Sequence, residues 1–158
     1  MLSNPHSYLT RISSDTFIDV EKEERIISVA LCDYRNFAAL STADGKILIL
    51  NSHGRIIGKY VAPHRCLIPK VTWKPKSPVV VCGSVKGVVA SWNLDFRKVE
   101  LEGEIDSSSV ALYEHIHVSE MTRMLWSNHG SASGERLLTV DRIGQCCIWK
   151  DQENNIAT

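Results

Sequence analysis

The chain has 158 residues, 18 basic and 18 acidic side chains balancing to zero net charge, and 44% hydrophobic residues. That length suits one domain or part of a repeat array, burying about two thirds of its unfolded surface. Balanced charge gives no field toward nucleic acid. No apolar run approaches the roughly 18 residues of an integral membrane segment, and the start lacks the apolar core of a secretory signal.

Residues 1–25 form an N-terminal segment in which "DTFIDV" is a candidate strand. From residue 26 onward, short aliphatic and β-branched runs alternate with turn residues, the pattern of antiparallel strands and hairpins. The pattern predicts strands near 26–32, 37–42, 46–51, 55–62, 69–74, 79–84, 88–93, 121–127, 136–141 and 145–150. A further outer strand is expected in "KVELEGEI" (98–105), whose acidic row suits an exposed sheet edge. Residues 153–158 read as a tail.

These strands fall into three copies of one unit. Trp73 follows His64 by nine residues, and Gly87 and Trp92 come fourteen and nineteen residues after Trp73. Trp126 follows His117 by the same nine, and Gly144 and Trp149 repeat the five-residue interval after a Gly/Ser-rich insertion, "SNHGSASGER". The first copy runs through Gly45 to Leu50, without the histidine and without either tryptophan. The glycine is needed where the second strand doubles back into the third, since positive φ is cheap only for glycine. A repeat of about 40 residues built from short strands stacks sheet on sheet.

The units resemble WD40 repeats, with expected blades at about 26–62, 69–106 and 117–150. The resemblance implies an all-β fold of propeller blades in an incomplete propeller. It assigns His64, Ser84 and Trp92, and then His117, Asp141 and Trp149, to the hydrogen-bonding positions of a blade. Trp73, Gly87, Trp126 and Gly144 complete the structural set. The terminal dipeptides read Trp92-Asn93 and Trp149-Lys150, so the repeats are divergent. More narrowly, "RIISVALCDYRNFAALSTADGKILILN", "PKVTWKP", "TRMLWSNHG" and "LLTVDRIGQCCIWKDQ" are similar to the amino-terminal propellers of subunits of the ciliary intraflagellar transport complex A. This implies a scaffold that binds protein subunits in retrograde transport and cargo entry, in the cytoplasm, cilium and ciliary base. The alternative is an adaptor of another assembly, such as a ubiquitin-ligase receptor or vesicle coat.

Catalytic chemistry finds no motif. No phosphate-cradling glycine loop and no nucleophile elbow occurs. His115 and His117 lie two apart without a further ligand at metal spacing. The five cysteines (Cys32, Cys66, Cys82, Cys146, Cys147) form no C-x-x-C pair and read as reduced cytosolic thiols. No catalytic, cofactor or metal residue is therefore nominated, and no cofactor is expected. The loops before each first strand and between the second and third strands share one propeller face. That nominates His64, Arg65, Lys86, His117 and Arg142 as contacts for protein. Three blades are fewer than a closed propeller takes, so an open wedge completed by further blades or a partner is expected.

Overall fold

The computed structural model describes residues 25–62, 67–95, 110–114, 116–127, 135–152 and 155–157. Twelve strands make three four-stranded antiparallel sheets, with no helix among the described residues. The first sheet is β1 (Ile26–Leu31), β2 (Ala38–Thr42), β3 (Lys46–Leu50) and β4 (Ile56–Val61), in chain order. The second is β5 (Lys70–Trp73), β6 (Val79–Gly83), β7 (Val89–Asn93) and β8 (Val110–Tyr113). The third is β9 (Met121–Trp126), β10 (Arg136–Asp141), β11 (Cys146–Gln152) and β12 (Asn155–Ala157). This is the all-β, blade-like architecture that the repeat predicts.

Alternation along each strand decides the stacking, because successive side chains point to opposite faces. Ala39, Ile47, Ile49, Ile57 and Tyr60 of the first sheet bury against Val71, Trp73, Val80, Cys82, Ala90 and Trp92 of the second. The opposite face of the second sheet sends Val81 and Val89 against Met121, Leu137 and Trp149 of the third. Leu40, Leu48 and Leu50 form a separate apolar cluster on the other side of the first sheet. The leading strands lie side by side, β1 against β5 and β5 against β9. Two longer ties reinforce this: the Trp73 indole N–H donates to the Ala30 carbonyl at 3.0 Å, and the Asp33 carboxylate accepts the Lys76 amide at 2.9 Å.

Two outer strands differ from expectation. The second sheet closes with β8 at Val110–Tyr113, whereas the expected strand at 98–105 lies outside the described residues. The tail contributes β12, which pairs Ile156 with Asp151. Both strands are three or four residues long, too short to show an alternation of their own.

Candidate functional site

Each sheet turns from its second to its third strand in the same way. Gly45, Gly87 and Gly144 have φ of 80°, 75° and 89°. Their amides donate to the carbonyls of Thr42, Ser84 and Asp141, three residues back. Those same three residues cap the turn with a side-chain oxygen. Thr42 Oγ1 accepts the Lys46 amide, Ser84 Oγ the Val88 amide, and Asp141 Oδ1 the Gln145 amide. A side-chain oxygen four residues ahead of an amide thus recurs three times with three residue types.

In the third sheet the cap extends into a buried polar set. Register places Leu137 opposite Trp149 and Thr139 opposite Cys147, so Thr139 and Trp149 share the face turned to the second sheet. Trp149 is fully buried, and its indole N–H donates to Thr139 Oγ1 at 2.8 Å. The same hydroxyl lies 2.8 Å from His117 Nε2. The oxygen accepts from the indole and can donate its own proton to Nε2. Nδ1 faces Asp141 Oδ2 at 3.6 Å, an ion-pair distance longer than a hydrogen bond, with both side chains enclosed. Burial pushes the Asp141 carboxyl up. The amide of Gln145, the His117 ring and the amides of Ile143 and Val118 outweigh it and hold the group below its ordinary value.

The equivalent positions elsewhere are filled differently. In the second sheet Val80 opposes Trp92, so Cys82 stands where Thr139 does, and Ser84 stands where Asp141 does. The Ser84 hydroxyl accepts the Lys86 and Val88 amides at the turn. Trp92 packs beside Tyr60 with ring centroids 6.1 Å apart, and Trp149 meets Tyr113 edge-on at 5.3 Å. Tyr60 and Tyr113 are themselves equivalent, each paired with the residue two beyond the turn glycine (Ile47 and Val89). In the first sheet, Leu40 and Leu50 occupy the threonine and tryptophan places.

His64 and Arg65 lie outside the described residues, as does His115. Trp73 and Trp92 are buried, but Trp126 is only half-buried, and its indole nitrogen has no partner among the described residues. Lys86 and Arg142 are exposed, and Arg142 approaches Glu120 at 3.8 Å. Thr139, Tyr60 and Tyr113 were not nominated by the sequence. Their positions acquire meaning only once strand register is known.

Between the first and second sheets lies a small crevice of about 50 Å³, lined by Tyr60, Ala62, Ile68, Cys82, Ser84 and Ala90 among others. Among the described residues, no three His, Cys, Asp or Glu side chains gather as metal ligands. No helix there is long and apolar enough to cross a membrane.

No protein-family model matches the chain. Over 90 residues, 57% of its length, the chain is 28% identical to the probable cytosolic iron-sulfur protein assembly protein 1 of Kluyveromyces lactis. The match covers 26% of that protein, so the chain spans about a quarter of the relative's length. Three stacked antiparallel sheets and a match to a WD-repeat protein together fit a WD40-type propeller.

Proposed function

We propose that the chain is a non-catalytic protein-interaction scaffold, the WD-repeat part of an intraflagellar transport complex A subunit in retrograde ciliary transport and cargo entry. The observation that carries the scaffold reading is the repeated four-stranded unit, capped three times at the same turn position. Such units present loops from a rigid frame, which suits recognition of other proteins. The narrower assignment rests on the likeness of residues 25–152 to the amino-terminal propeller of intraflagellar transport protein 140, above all the Asp141-Arg142-Ile143-Gly144 turn leading to Trp149. Tagging the chain in ciliated cells and identifying co-purifying subunits tests it. Complex A subunits are the expected result, and their absence from the purified set overturns the assignment.

A second reading is an adaptor in another multi-protein assembly. It is favoured by the match to a protein whose name places it in cytosolic iron-sulfur protein assembly. Recovery of such components in the same purification, without complex A subunits, would select this reading.

A further inference from the structure

Three loops meet at one edge of the second and third sheets. An added Cβ on Gly87 would collide with the His117 carbonyl oxygen, so the Ser84–Val88 turn rests directly on the segment before β9. The Met121 amide donates to the Ser84 carbonyl, and the Arg142 amide donates to the Glu120 carbonyl at 2.8 Å. Gln145 Nε2 ties the third loop to the Ile116 carbonyl at 3.0 Å. The buried Asp141 carboxylate accepts the Gln145 amide at 2.8 Å, and the Gly144 amide donates to the Asp141 carbonyl, which hold the third loop in place from within.

The side chains on this clamped edge do not follow their backbones inward. Val118 is 74% exposed and Ile143 69% exposed. Lys86 is exposed on one flank, and the Arg142 side chain, 76% accessible, is on the other. Glu120 is the acidic residue beside Arg142. Two aliphatic side chains on rigid backbone lose little entropy when a partner covers them. Cations on both sides set the charge of what covers them.

We propose that Lys86, Val118, Arg142 and Ile143 form one docking surface for an acidic segment of a partner protein. An aliphatic or aromatic residue of that segment covers Val118 and Ile143, and flanking carboxylates meet Lys86 and Arg142. The proposal rests on the interaction-scaffold reading and names the partner chemistry for it.

The test uses the full chain as bait for a phage-displayed library of random dodecapeptides. Enriched sequences are then synthesised and measured by fluorescence anisotropy. The expected consensus is an apolar residue bracketed by Asp or Glu. Binding should weaken about tenfold or more, the effect of losing a hot-spot contact, in K86E/R142E and separately in V118S/I143S. Added salt should weaken it as well, because the charges are at the rim. All four side chains are exposed, so thermal melts of both variants should match the parent. The milder Arg142→Ala keeps the test open should K86E/R142E melt early. No enrichment, a consensus without acid, or binding indifferent to both variant pairs overturns the proposal. Any of these leaves the co-purification result standing, and a different co-purifying assembly leaves the peptide binding standing.

Discussion

The first and third sheets share one backbone plan and fill its central position with opposite chemistry. In the third, Trp149 brings a buried N–H to the strand face, and Thr139 and His117 are there to meet it. In the first, the tryptophan place holds Leu50, and the threonine place holds Leu40, packed with Leu48. Between these two sheets the polar group and its partner are present together or absent together, whereas the second sheet keeps Trp92 but carries Cys82 at the threonine place. Net gain from a hydrogen bond is modest, whereas an orphaned buried donor costs about 1–3 kcal/mol, which favours either complete state over a mixed one. The difference teaches that, from the first sheet to the third, the residues at the tryptophan and threonine places change together.

Gly87 and Gly144 separate backbone strain from close packing, and Gly87 gives the largest expected effect. Gly87→Ala places a methyl group on the His117 backbone carbonyl in a left-handed conformation. Together these should cost about 4 kcal/mol, read as a lowered urea midpoint. Thr139→Val keeps the volume but strands the Trp149 N–H and His117 Nε2, which should cost about 3 kcal/mol in the same assay. Gly144→Ala should cost only about 1 kcal/mol, since nothing lies within 4 Å and left-handed strain alone remains. An equal loss for Gly87→Ala and Gly144→Ala would mean that the close contact with the His117 carbonyl is not maintained in solution.

The mildest effect is confined to acid. The Asp141 carboxyl sits below its ordinary value in the folded chain. Its contribution is therefore present above the unfolded carboxylate value near 4 and lost as pH falls through the lower, folded value. Asp141→Asn should flatten stability across that window. Denaturant midpoints measured across that range check it.

Much of this plan was legible in the residues. The Gly87-to-Trp92 and Gly144-to-Trp149 intervals located the hairpins, because a positive-φ glycine fixes how far the third strand runs before its aromatic. The separate strand runs were visible because each is a short run rich in aliphatic or β-branched residues between turn signals. The outer strands β8 and β12 were not, being short and following segments of variable length. Thr139 was hidden for a different reason. In "LLTVDRIG" it is an ordinary strand residue until its register with Cys147 shows that it shares a face with Trp149. The Tyr60–Tyr113 equivalence was obscured likewise, since the intervals from Gly45 and from Gly87 differ. Trp126 reads like Trp73 in sequence. Yet Trp73 finds the Ala30 carbonyl, whereas Trp126 is half-buried with its nitrogen unpaired among the described residues.

A double-mutant cycle joining Thr139→Val with Trp149→Phe tests most directly whether the third sheet's polar set acts as one unit. If the hydroxyl and the indole N–H serve each other, removing both should cost at least about 1 kcal/mol less than the sum of the single losses. Strict additivity, with each change contributing the same whether or not the other is present, would contradict the coupling on which the comparison of the two sheets depends.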